Sequence, residues 1–357
     1  MAPDSTFPPN ETRPNDSTRS AEPALSRDPI PSPDSALSSD SKLVPKGLEI
    51  SRAYFEEHGL PMLQEKFPEL MPSIAAGLFG SGSECFGYDD ELSRDHDFDP
   101  GFMLLLPDEN VIDRAQEFAL ERAYAALPKE FRGISRPQLA PVGGARRGVL
   151  RMTDFFEQKT GSPDGTLTND AWLAVPSSSL AEAVNGAVFF DGPGELTRIR
   201  SRLARYPEDI RRKKLAGHLL LAAQAGQYNY LRCLRHGETA AAQLAVIAFA
   251  QSAMEVIFLL NGVYQPFYKW RFRALRALPK LSLLAELLEY LITTGNDGQL
   301  AYDKYEVIED IAADIISELH AQNLTKADCK DLEKHAYSVN DGIRDGDIRN
   351  RHILAGI

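Results

Sequence analysis

Two short, continuous apolar runs, Ile74 to Phe79 and Phe102 to Leu106, have the length of buried strands. Helical spacing surrounds them. Leu48, Ile50, Tyr54 and Phe55 share a face, Gly59 is expected to break that helix, and residues 61–68 supply a second short one. After the turn Pro107–Asn110, the apolar positions Val111, Ile112, Ala115, Phe118, Ala119 and Ala123 predict a helix of about four turns closed by Pro128. Residues 129–148 read as loop, and RGVLRMTDFF as another strand with Asp154 near its end. Strands alternating with helices predict a small mixed sheet covered by helices over residues 47–194.

From residue 195 the pattern is helical throughout. Leu203, Tyr206, Ile210, Leu215, Leu219 and Leu220 recur at helical intervals, with Pro207 at a helix start. The span Ala240 to Leu260 is the most apolar, but Gln243, Gln251 and Glu255 interrupt it, which predicts a buried helix and not a membrane crossing. Further amphipathic stretches at 281–293, 303–319 and 325–336 complete an α-helical bundle over 195–357. Residues 1–46 are rich in Pro, Ser, Asp and Asn, with Phe7 their one aromatic, and such a segment cannot bury enough surface to offset its conformational entropy. The expected architecture is therefore α+β: a disordered tail over 1–46, a mixed-sheet domain over 47–194 and a helical bundle over 195–357.

Charge and cysteine content narrow the environment. With 51 Asp and Glu against 39 Lys and Arg, the net charge is -12, so the chain as a whole attracts neither nucleic acid nor an anionic membrane. Cys85, Cys233 and Cys329 are widely spaced and form no metal-ligand pair, which fits a reducing cytoplasm. The basic run Arg211–Lys214 reads as a solvated face, with one member available to a phosphate.

The candidate chemistry sits between the two apolar runs. Gly80-Ser81-Gly82-Ser83 lets backbone amides approach an anion with no Cβ in the way. Asp95, Asp97 and Asp99 then alternate just before the second run, and in extended chain alternate side chains share a face. Two carboxylates on one face repel unless a cation or proton lies between them, and Mg²⁺ takes one or two carboxylates plus substrate phosphates. Taken singly, a Gly-Ser run is a turn and an acidic run a solvated loop; their order between two strands favours a site for a metal-bound nucleotide. Asp97 with Asp99 would put the pair directly before Pro100, so Asp95 with Asp97 is preferred, leaving Asp99 at the surface or as an outer ligand. His96 falls on the opposite face, and Arg94 suits either a phosphate or a neighbouring carboxylate.

Gly80-Ser81 followed by Asp95-His96-Asp97 resembles the Gly-Ser and Asp-x-Asp signature of the polymerase beta-like nucleotidyltransferase superfamily. The run SRDHDFDPGF, with YPEDIRRKKLA, QYNYLR and LLNGVYQPFYKW downstream, is similar to a bacterial family of uncharacterised nucleotidyltransferase-like proteins with a DUF4037-type helical domain, over roughly residues 47 to 357. The spacer between the two motifs is longer than in the minimal enzymes of the superfamily.

That resemblance implies a nucleoside triphosphate bound as its Mg²⁺ or Mn²⁺ complex. Gly80 and Ser81 would hold the β- and γ-phosphates, Asp95 and Asp97 would position two metal ions, and an acceptor would attack the α-phosphorus with release of pyrophosphate. Tyr264 and Lys269, in the LLNGVYQPFYKW run, become candidate nucleotide-binding residues; otherwise they read as core tyrosine and solvated charge. Asp154 and Asp191 are the candidates for a third carboxylate, with a cap or turn role as the alternative for each. The acceptor is a small molecule or a protein, RNA being least favoured by the acidic balance. The rival reading is a nucleotide sensor or an antitoxin-like partner-binding module that keeps the shell without the reaction.

Overall fold

The computed structural model describes residues 46–90, 99–136 and 147–357, and the tail expected over 1–46 lies outside them except for Lys46. The fold is α+β. Four short strands form one mixed sheet in the order β5-β2-β1-β6, where β1 is Ala75–Leu78, β2 Met103–Leu106, β5 Gly148–Arg151 and β6 Ala187–Asp191. The central strand β1 runs antiparallel to both neighbours, β2 and β6, while β2 and β5 are parallel. A separate two-stranded hairpin, β3 (Glu130–Phe131) with β4 (Ile134–Ser135), occupies part of the span expected to be loop.

Strand alternation divides the sheet between two cores. Leu104 and Leu106 of β2 and Ala76 of β1 pack with helices α1 (Gly47–Tyr54), α2 (Leu60–Lys66) and α4 (Arg114–Ala125) on one face. Met103, Leu105 and Ala75 pack on the other face with α5 (Met152–Thr160), α7 (Ser177–Val184) and α8 (Glu195–Leu203). Helices therefore cover both faces, which is why both strands read as unbroken apolar runs and not as alternating ones.

The second core continues into the helical half. It includes Ile210 of α9 (Glu208–Ala222), Tyr264, Ile343 and Ile348. A third core joins α9 to α11 (Thr239–Asn261), α13 (Leu284–Thr293), α14 (Gln299–Ala321) and α15 (Leu332–Asp341). Among the described residues α11 alone is long and apolar enough to cross a membrane. Its Val246, Phe249, Ala253 and Ile257 are fully buried, so its apolar surface is used within the bundle.

Three sequence expectations need correction. Gly59 does not break the first helix: α1 passes through a π turn, Phe55–Gly59, directly into α2. The reason is contact, since a Cβ at Gly59 would stand 2.6 Å from the ring of Phe102, itself wedged between Phe55 and Tyr124. The strand RGVLRMTDFF ends at Arg151, and Asp154 lies in the first turn of α5. The basic run is not a solvated face, because Lys213 and Lys214 are buried. Lys213 Nζ donates to Asn340 Oδ1 and to the carbonyls of Arg349 and Arg351, and Lys214 Nζ donates to those of Leu173 and Gly356.

Gly59→Val should lower stability by about 1–3 kcal/mol through overpacking. Phe102→Leu in the same chain should recover part of that loss in urea denaturation, and an unchanged midpoint for the single variant would remove the close-contact explanation.

Candidate functional site

One end of the sheet collects the Gly-Ser turn and the starts of three strands. Because β1 is antiparallel to its neighbours, its C-terminal end meets the N-terminal ends of β2 and β6: Gly77 pairs with Met103 and Leu78 with Ala187. Met103 pairs in turn with Gly148, which brings the start of β5 to the same end. The Gly-Ser turn thus lies beside the residues that immediately precede β2, β5 and β6.

Side chains tie these segments together. Gly80 adopts a φ of +114°, open to glycine, and both of its backbone groups meet Asn185: the amide donates to Asn185 Oδ1 at 2.8 Å, and the carbonyl accepts from Nδ2 at 2.7 Å. Gly186 N donates to the carbonyl of Cys85, and Ser81 stands exposed beyond the turn. Glu84, on the single-turn helix α3 (Ser83–Phe86), and Asp99, just ahead of β2, both pair with Arg147, just ahead of β5. The distances are 3.2 Å from Arg147 Nη2 to Glu84 Oε1 and 2.5 Å from Nη1 to Asp99 Oδ1, with all three side chains largely buried. Asp99 is therefore not a surface residue.

Asp95, Asp97, His96 and Arg94 lie outside the described residues, but the chain on either side of them is anchored. Asp89 accepts from the amide of Gly47 at 2.7 Å, while Lys46 Nζ donates to its carbonyl and faces its carboxylate. Arg273, in α12 (Arg271–Arg276), donates to the carbonyl of Tyr88 at 2.6 Å and pairs with Asp90 at 3.7 Å. Trp270 lies against Tyr88, ring centroids 5.5 Å apart. Asp99 and Arg147 hold the far side.

The remaining candidates separate. Lys269 is exposed, its ammonium 5.0 Å from the Trp270 ring centroid. Tyr264 is buried, donates its hydroxyl to the Leu203 carbonyl at 2.7 Å and meets the Tyr206 ring edge-on. Burial pushes the phenol pKa of Tyr264 well above its ordinary range, the neighbouring Tyr206 adding to the shift. Asp191 pairs with Ala75, at the opposite end of β1 from Gly80, and its carboxylate accepts from the Thr197 amide. Asp154 follows the C-terminal end of β5, again the opposite end. Neither can serve as a third carboxylate beside the Gly-Ser turn. Among the described residues no group of three His, Cys, Asp or Glu side chains could hold a metal ion.

Sequence reasoning missed Arg147 and Asn185. A single arginine or asparagine ahead of a strand carries no pattern, and the parallel pairing of β5 with β2 that brings Arg147 into place is a tertiary event.

Residues 172–271 match the family described as a domain of unknown function, DUF4037. The matched segment runs from within α6 (Asn169–Ala174) to the first residue of α12, so it takes in Asn185, Lys269 and Trp270 but neither the Gly-Ser turn nor β2. No curated protein and no solved structure matches the chain.

Arg147→Met would remove the guanidinium that Glu84 and Asp99 both face in a largely buried site. Stability should fall by about 3–5 kcal/mol in urea denaturation, and a loss below about 1 kcal/mol would show that the three side chains do not act as a buried unit.

Proposed function

We propose that this chain is a nucleotidyltransferase, moving a nucleoside monophosphate from a nucleoside triphosphate to a small-molecule or protein acceptor with release of pyrophosphate. One observation carries the reading: antiparallel pairing sets the Gly-Ser turn and the start of β2 at the same end of the sheet. The acidic segment that holds Asp95 and Asp97 runs into that start.

The donor chemistry fits a hard cation. At this end of the sheet Glu84 and Asp99 both pair with Arg147. Mg²⁺ or Mn²⁺ held by these two aspartates would supply charge neutralisation for a polyphosphate. The chain's own part is alignment. Gly80 turns the backbone and is fixed by Asn185, which sets the direction in which Ser81 leaves the turn. Lys269 is the exposed cation of the LLNGVYQPFYKW region and suits a phosphate oxygen, whereas Tyr264 contributes by packing that region onto α8.

A second reading is a binder that holds a nucleotide or a protein partner without transfer. It is favoured by the location of Asp154 and Asp191, which leaves neither as a base or third ligand beside Gly80.

Pyrophosphate release measured with each nucleoside triphosphate, with and without Mg²⁺, separates the two. Transfer predicts metal-dependent release that Asp97→Asn lowers by about 10²-fold or more, with unchanged circular dichroism. Full activity in Asp97→Asn would end the assignment, and nucleotide binding without release would favour the binder.

A further inference from the structure

A cavity of about 550 Å³ lies away from the Gly-Ser turn, among α7, α9, α11 and the chain near Gly356. Its size is that of a small-molecule site. Most of its polar lining belongs to the DUF4037 segment: Ser177, Lys214, His218, Glu255, Gln265 and Arg271.

Three of these residues, His218, Gln265 and Arg271, carry buried polar atoms without a hydrogen-bond partner. Gln265 is 1 % exposed, yet neither its side-chain oxygen nor its side-chain nitrogen has a hydrogen-bond partner. His218 Nδ1 and Arg271 Nε are likewise buried and unpartnered. Burying such groups unpaired opposes folding, so a fold that keeps several on one cavity wall has a use for them other than stability. Nor are they loosely placed. Gln265 is fixed through its backbone amide, which donates to Ser177 Oγ at 2.8 Å.

Charge identifies the occupant. Arg351 and Asp170 on the rim pair with each other, which leaves Lys214 and Arg271 facing Glu255. Lys214 spends two of its three donors on the carbonyls of Leu173 and Gly356 and retains one. Ser177 and Ser178 on the cavity wall open α7, whose first amides have no acceptor within the helix. Burial pushes the carboxyl pKa of Glu255 up, against the pull of Arg271 and Lys214. Burial, aided by Lys214 and Arg271, holds the His218 pKa down to about 3, so its imidazole is neutral at physiological pH. The wall therefore sets two cations, Lys214 and Arg271, beside Glu255 and neutral hydrogen-bonding groups.

We infer that this cavity is a binding site for a small phosphate monoester. Its phosphoryl group meets the start of α7, Arg271 and Lys214, and its hydroxyl-bearing remainder meets Gln265, His218 and Glu255. The inference stands apart from nucleotidyl transfer, since it concerns other residues and is tested by binding alone.

Isothermal titration of the full chain with inorganic phosphate, ribose 5-phosphate and succinate tests it. Ribose 5-phosphate should bind more tightly than inorganic phosphate, and succinate more weakly than either. Arg271→Gln should weaken both phosphate probes at least tenfold, about 1.4 kcal/mol. Gln265→Leu should remove the advantage of ribose 5-phosphate over phosphate and raise the melting temperature of the unliganded protein, because an unpaired amide is replaced by an apolar group. The assignment is overturned by any of three results: no binding of either phosphate probe to the wild type up to roughly 10 mM, succinate binding as tightly as phosphate, or undiminished binding by Arg271→Gln. A fall in melting temperature for Gln265→Leu would make Gln265 a structural residue and overturn its role.

Discussion

The antiparallel placement of β1 between β2 and β6 is the constraint on which the rest of this molecule depends. A strand of four residues has few hydrogen bonds to offer, and here both of its edges are used and both of its faces are covered. Reversing direction at each neighbour gathers the Gly-Ser turn and the residues ahead of β2, β5 and β6 at one end of the sheet. What would otherwise be four unrelated loops becomes one surface. Arg147 and Asn185 then fasten that surface, each bridging segments far apart in the chain.

Buried charge is handled in two ways. At the sheet end, Glu84 and Asp99 share Arg147, so two carboxylates face one guanidinium in a largely buried site. In the bundle, Lys213 is surrounded by carbonyl and amide oxygens and its charge is met by dipoles. Lys214 is the intermediate case: two carbonyls hold it, burial lowers its pKa to about 8, and the cavity beside it supplies the remaining surroundings. Groups paired with an opposite charge or ringed by carbonyls define structure, while buried groups left with open donors or acceptors beside a cavity mark places where a ligand completes the set.

The DUF4037 segment links the two regions. It contributes Asn185 to the Gly-Ser turn through the end of α7 and lines the cavity through the beginning of the same helix. At eight residues, α7 is about 12 Å long. The stretch from Gln265 to Arg273 likewise faces the cavity at Gln265 and Arg271 and holds Tyr88 at Trp270 and Arg273.

The sequence by itself determined the α+β class, both central strands and the buried character of α11, because apolar periodicity is a local signal that burial on a known face makes legible. It also marked the order of the Gly-Ser turn and the aspartates, since that depends only on succession along the chain. Tertiary structure alone decided that Asp154 and Asp191 stand at the far end of the sheet, that Asp99 belongs to Arg147, and that Lys213 and Lys214 lie inside. Each of these follows from strand direction or from helix packing between residues distant in sequence. A charged run reads as solvated until the carbonyls that would replace water can be located, and only the fold brings them there.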